Sequence, residues 1–145
     1  LTEVDLSEDA SFLGLETIVL GRAAMGETLR RLHLSDRRVI RRAGKLEVFD
    51  PFWLDDTGLA RAAAPALLHG ARAVAVLILS EPRAEDRLPA LRAALTEPDV
   101  TAAASALPGR VILRAHAPDA WPLRRQMARL IDTLRPGGLP RVWQS

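Results

Sequence analysis

Three histidines, His33, His69 and His116, are the side chains of this 145-residue chain best suited to ligate a metal or relay a proton. No two stand four residues apart, the spacing with which one helix presents two imidazoles to one ion. Scattered in this way they read as surface or internally satisfied residues. Cysteine is absent, which excludes thiolate metal sites, disulfide frameworks and cysteine nucleophiles together. No Gly-x-Ser-x-Gly elbow presents a serine nucleophile, and the acids Asp55 and Asp56 sit beside Thr57-Gly58 in what reads as a solvated turn. Gly21 and Gly26 bracket Arg22-Ala23-Ala24-Met25, with Glu27 following. This segment lacks both the Lys-Ser/Thr pair and the G-x-G-x-x-G spacing of a phosphate loop. Its glycines do allow a tight corner or a close backbone approach to a partner or an ion in passage. Two readings stand: a structural corner in which Arg22 pairs with Glu27 and Met25 plugs the core, or a contact surface.

Arginine is the other chemically pointed feature. Arg30, Arg31, Arg37, Arg38, Arg41, Arg42 and Lys45 crowd one stretch in which Asp36 is the sole acid. Guanidinium groups bind phosphates bidentately, so a basic β-ribbon binding nucleic acid or another anionic partner is the alternative function class. No aromatic side chain interleaves with these arginines to stack on bases, and Glu27 and Glu47 flank the block. A solvated or protein-contacting ribbon is therefore preferred, with no nucleic acid expected. The high sequence pI of about 10.3 does not argue otherwise. Net charge is only +2, and without Tyr or Cys little titrates between neutrality and arginine deprotonation.

These residues need a scaffold, and the composition bounds it. With 48% hydrophobic and 26% charged residues the chain is neither disordered nor of membrane-spanning character. No signal-peptide pattern opens it, and it begins with Leu1 rather than Met, so a cytoplasmic protein cut from a longer parent is expected. Residues 1 to 54 read as strands: Leu1 to Leu6, Ser11 to Leu20, Thr28 to Leu34, Arg37 to Arg42 and Leu46 to Leu54, with Ala43-Gly44 as a turn. Asp55 to Gly58 is a turn and the one candidate boundary. Leu59 to Leu68 is weakly helical. The longest apolar run, Ala73 to Leu79, suits a buried strand within Ala71 to Ser80. Leu88, Leu91 and Leu95 line one face of a helix near Glu85 to Thr96, with Glu85 or Asp86 as its cap and Pro89 in its first turn. Val100 to Leu107 and Arg110 to His116 are strands meeting at Pro108-Gly109. Asp119 opens a helix whose stripe is Leu123, Met127, Leu130, Ile131 and Leu134, stopped by Pro136-Gly137-Gly138. The expected fold is α+β, mainly β: one continuous domain with a strand array over 1–54 and an α+β layer over 59–145, both helices on one face of an antiparallel sheet.

The segment Glu16-Thr17-Ile18-Val19-Leu20-Gly21-Arg22-Ala23-Ala24-Met25-Gly26-Glu27 resembles the strand-and-loop signature of the urease accessory protein family UreD, called UreH in some species. Asp36-Arg37-Arg38 through Leu46 is similar to that family's Asp-x-Trp ribbon and turn, with Arg38 where Trp is usual. Leu139-Pro140-Arg141-Val142-Trp143 resembles its terminus. The likeness runs along essentially the whole chain, which resembles the C-terminal half of such a protein.

The resemblance implies a stack of two sheets wound like a helix, with two α-helices. It implies a non-enzymatic chaperone for nickel insertion into urease, binding apo-urease and UreF and reaching the GTPase UreG through UreF. It allows for a homodimer of the accessory complex. No cofactor is held tightly, nickel being cargo in transit along an internal tunnel lined partly by carboxylates. Glu16, Glu27 and Asp36 are the acids here that could serve such a route, by exchangeable oxygen ligation. The competing role for each is an ion pair with Arg22, Arg30 or Arg37. Gly21, Arg22, Met25, Gly26 and Arg37 are the candidates for a partner-contacting or structural loop.

Overall fold

The computed structural model describes residues 1–21, 29–65, 67–138 and 143. Among them seven strands and three helices occur, in the order β1 (Thr2–Leu6), β2 (Phe12–Val19), β3 (His33–Arg42), β4 (Lys45–Asp55), α1 (Asp56–Ala60), β5 (Ala73–Ser80), α2 (Leu88–Ala93), β6 (Thr101–Leu107), β7 (Arg110–Ala117) and α3 (Ala120–Leu134). The strands form two sheets, β1-β3-β4 and β2-β5-β7-β6. β1 lies parallel to β3, and every other pairing is antiparallel. The fold is therefore mainly β with some helix, in stacked mixed and antiparallel sheets, as expected.

β5 is the axis of the molecule. Its continuous apolar run is buried along nearly its whole length because both faces are covered. On one face Ala73, Ala75, Leu77 and Leu79 pack with Val111 and Leu113 of β7 beneath Leu91 of α2 and Leu123, Met127 and Leu130 of α3. On the other, Val76 and Ile78 meet Ile40 and Val48 of the three-stranded sheet, with Phe12, Val4 and Leu6 around them. The layers are thus helices, four-stranded sheet, three-stranded sheet.

Local chemistry sets several boundaries differently from expectation. Leu29 to Leu32 form no strand, and the two strands expected over Thr28 to Leu34 and Arg37 to Arg42 are replaced by one, β3. The Asp55 to Gly58 turn instead opens α1, because extended Asp55 accepts the Gly58 N–H as an N-cap. The helix near Glu85 shrinks to six residues, preceded by a 3₁₀ turn at Ala84–Arg87. Glu85 caps neither; its Oε2 accepts the Gly109 N–H at 2.8 Å across the β6–β7 turn. Gln126, 1% exposed on α3, ends this helical segment by accepting the N–H groups of Thr96 and Glu97 and donating to the Ala94 carbonyl. α3 itself matches its apolar stripe and is capped by Asp119, which accepts the Trp121 N–H.

Candidate functional site

Arg38 lies on the inner face of β3, between the two sheets, with 7% of its side chain exposed. A guanidinium so placed must be both neutralised and saturated with acceptors. Three carboxylates do this. Glu16 of β2, from the opposite sheet, accepts from Nε at 2.7 Å and from Nη2 at 2.5 Å. Asp36, two residues along the same strand face, meets Nη2 at 2.5 Å. Asp50, the register partner of Arg38 on β4, accepts from Nη1 at 2.9 Å. The second oxygen of Asp50 pairs with Arg114 of β7, and Glu16 Oε1 accepts from Thr2 Oγ1 at 2.9 Å. Five strands thereby contribute to one network. Among the described residues every buried side-chain nitrogen and oxygen has a partner.

The charges act on one another. Burial alone would raise the Asp36 carboxyl, but the contact with Glu16, the Arg38 charge and the Arg37 N–H outweigh it and hold the group below the usual aspartate value. Burial would likewise lower Arg38, and bonds to Glu16 and Asp50 with the surrounding negative charge raise it instead. The guanidinium is therefore a permanent cation.

The network floors a cleft of about 350 Å³ between the sheets, with Ile18, Phe52, Leu68 and Val74 among its apolar walls and Arg114 and His116 on its rim strand. Glu16 is the most open of the three acids, 37% exposed. The cleft offers one reachable carboxylate, apolar walls and a fixed positive charge behind it. Such a surface suits binding.

Two of the three candidate acids, Glu16 and Asp36, are brought together here. Their shared cation is Arg38, which the sequence had not singled out over Arg30 or Arg37. Arg37 is exposed on the opposite strand face, its N–H donating to Asp36 Oδ1 at 2.8 Å. Gly21, two residues past the end of β2, has a left-handed conformation (φ 76°) that glycine adopts at no steric cost. Arg22, Met25, Gly26 and Glu27 lie outside the described residues. His33 stands apart from the other histidines, beside Asp55 and Asp56. His69 and His116 line one small pocket with Asp99, yet among the described residues no three His, Asp or Glu side chains gather closely enough to hold a metal ion. Asp50 and Arg114 were not anticipated as partners. Of the basic residues in the ribbon, Arg38, Arg41 and Arg42 are engaged within the chain: Arg41 faces Glu3, and Arg42 is bound by Glu47, Ser80 and three carbonyls. No described helix is long and apolar enough to cross a membrane.

The family model described as UreD urease accessory protein matches residues 1–144. A relative from Paracoccus denitrificans (strain Pd 1222), named urease accessory protein UreD, is 55% identical over 143 residues, covering 99% of this chain and 51% of the relative. Proteins of the same name from Cereibacter sphaeroides (strain ATCC 17025) and Methylobacterium sp. (strain 4-46) are 53% and 40% identical, covering 99% and 97% of this chain and 52% of each relative. The chain spans about half the length of the curated relatives it matches. With the family model matching nearly end to end and identities of this height, the chain belongs to the UreD urease accessory protein family.

Proposed function

We propose that this chain is part of a non-enzymatic scaffold that assists nickel insertion into urease. In this role it binds apo-urease and UreF, and UreG through UreF, in the cytoplasm. Nickel is its cargo and no resident cofactor is required. Family membership supports the urease-directed role. The observation that carries the mechanism is the Arg38-centred network: a charged floor beneath an apolar cleft, suited to holding a partner segment and not to bond chemistry. Three carboxylates shared by one guanidinium give a site whose net charge is two negative, or one negative with Arg114 included, so a passing divalent ion is attracted but, among the described residues, meets no vacant cage. Arg38 and Arg42 are already committed to acids and carbonyls of their own chain, which argues against phosphate binding by this ribbon.

The test is complementation. This chain, joined to the unmatched part of the Paracoccus denitrificans relative in that relative's own order, replaces the gene for the relative. Urease activity and nickel per urease should be restored, and UreF and urease should co-purify with the joined protein. Urease left without nickel despite a soluble, folded joined protein would refute the role.

A further inference from the structure

Two of the three histidines, distant in sequence, meet at one end of the four-stranded sheet. His116 is the penultimate residue of β7 and the register partner of Thr101 on β6. His69 reaches the same end from the segment between α1 and β5. Leu68 anchors that segment in the core. His69 and Gly70 follow in left-handed conformations (φ 49° and 76°), their N–H groups donating to the carbonyls of Ala64 and Ala62 at 3.2 and 3.0 Å. Arg72 then donates its N–H to the Ala117 carbonyl at 3.0 Å, which fastens the segment to β7 one residue beyond His116. Asp99, also left-handed (φ 62°), lies two residues before Thr101.

His69, Asp99, Thr101 and His116 line a pocket of about 90 Å³, room for an ion with a few waters. Thr101 and His116 also line the cleft above the Arg38 network, so the two cavities adjoin. Their chemistry differs. Around Arg38 the donors are carboxylate oxygens already held by cations, whereas at this end they are imidazole nitrogens, and among the described residues no side chain pairs with His69, His116 or Asp99. Neutral imidazole selects nickel, copper or zinc over magnesium or calcium. We propose that His69 and His116 form an open, two-imidazole site for a late first-row divalent cation at the end of the cleft, with Asp99 as the neighbouring negative charge. No three described His, Asp or Glu side chains form a closed set, so water fills the remaining positions and the ion exchanges readily. The site stands on these side chains and their chemistry, so it and the urease role can fail separately.

Nickel(II) alone is the probe, titrated into this chain joined to the unmatched part of the Paracoccus denitrificans relative. Binding is followed by calorimetry and by paramagnetic broadening of the imidazole NMR signals. The signals of His69 and His116 should broaden first and together, while His33, at a separate place in the fold, stays sharp. His69→Asn keeps a residue that tolerates the left-handed backbone, and His116→Gln keeps a polar side chain on the strand. Each should weaken nickel(II) binding by at least the roughly tenfold that loss of an outer-shell partner costs a metal site, at an unchanged urea midpoint; His33→Gln should leave it as it was. Unchanged binding in the double variant would overturn the proposal. So would broadening of only one of the two imidazoles, or broadening spread equally over all three. Affinity that falls only in step with the urea midpoint would assign these histidines to structure and overturn it as well.

Discussion

Arg42, at the end of β3 in one sheet, donates from Nη2 to Ser80 Oγ at the end of β5 in the other, at 2.8 Å. Ser80 is fully buried and its hydroxyl donates in turn to Glu47 Oε2 at 2.5 Å. The remaining reach of the guanidinium is spent on the turn between β1 and β2: Nη1 donates to the carbonyls of Ser7, Glu8 and Ala10 at 3.0, 3.1 and 2.7 Å. One side chain thus closes a turn and joins two sheets. Arg42→Lys keeps the charge but cannot reach all these acceptors, because an ammonium lacks the planar fork. The expected cost is about 2 kcal/mol, the range for hydrogen bonds to a charged group. Urea unfolding checks this, the midpoint falling at an unchanged m-value.

The second prediction concerns Arg38. Replacing it by Met leaves Asp50, 6% exposed, and Asp36, 16% exposed, facing Glu16 without their shared cation. Removing one partner of a buried ion pair costs about 3–5 kcal/mol, mostly through the charge left uncompensated. Arg38→Met should therefore lose stability on that scale. Adding Asp50→Leu should recover part of it, since an apolar pair of similar volume needs no neutralisation. A double variant less stable than the single one would show that Arg114, and not Arg38, is the main partner of Asp50.

This cluster shows why the sequence revealed some elements and not others. β5 and α3 were legible because each carries its own periodicity, an unbroken apolar run and a stripe from Leu123 to Leu134. The Arg38–Asp50 pair was not. Counting back from the Ala43-Gly44 turn sets Phe49 opposite Arg38; the extra residue at the bulge shifts the partner to Asp50. Glu16 comes from another sheet, 22 residues away, and no local pattern announces it. The second helix fell short for a similar reason. Gln126, distant in sequence, takes the N–H groups of Thr96 and Glu97 and so fixes the chain leaving α2.

The turn between β3 and β4 supplies the third prediction. Ala43 and Gly44 have φ of 47° and 76°, the pair of left-handed residues that a two-residue type I′ hairpin requires. Alanine pays a steric penalty in that conformation, whereas asparagine tolerates it through its short polar side chain. Ala43→Asn should therefore stabilise the protein by about 1 kcal/mol, read as a rise in urea midpoint.

Acid should loosen the space between the sheets. The Asp36 carboxyl is held below its ordinary value in the folded state, so between the folded and unfolded values the unfolded chain binds more protons. Its contribution is complete above the unfolded value of about 3.9 and is lost as pH falls through the folded one. Stability measured by urea unfolding should fall as pH drops below about 5. Asp36→Asn should flatten that slope while lowering stability at neutral pH. An unchanged acid limb in the variant would assign the dependence to other carboxylates.

Glu16 separates a role in urease maturation from a role in holding the sheets together. It is the candidate acid that the cleft leaves reachable, with one oxygen on Thr2 and the other on Arg38. Glu16→Gln preserves size and retains an acceptor oxygen while removing the charge. It weakens the pairing with Arg38, so some loss of stability is expected whichever role holds. Arg42→Lys provides the control, since it is expected to destabilise the same two-sheet stack without touching the cleft floor. Both variants are placed in the joined, full-length protein, and nickel per urease is measured at equal soluble protein. If the charge of Glu16 serves nickel delivery, Glu16→Gln should lower nickel loading well below the Arg42→Lys level, with UreF still co-purifying. Equal loading by the two variants would make Glu16 a counter-charge for Arg38 and nothing more. Loading lost together with UreF binding would place Glu16 at the partner contact instead of on the path of the ion.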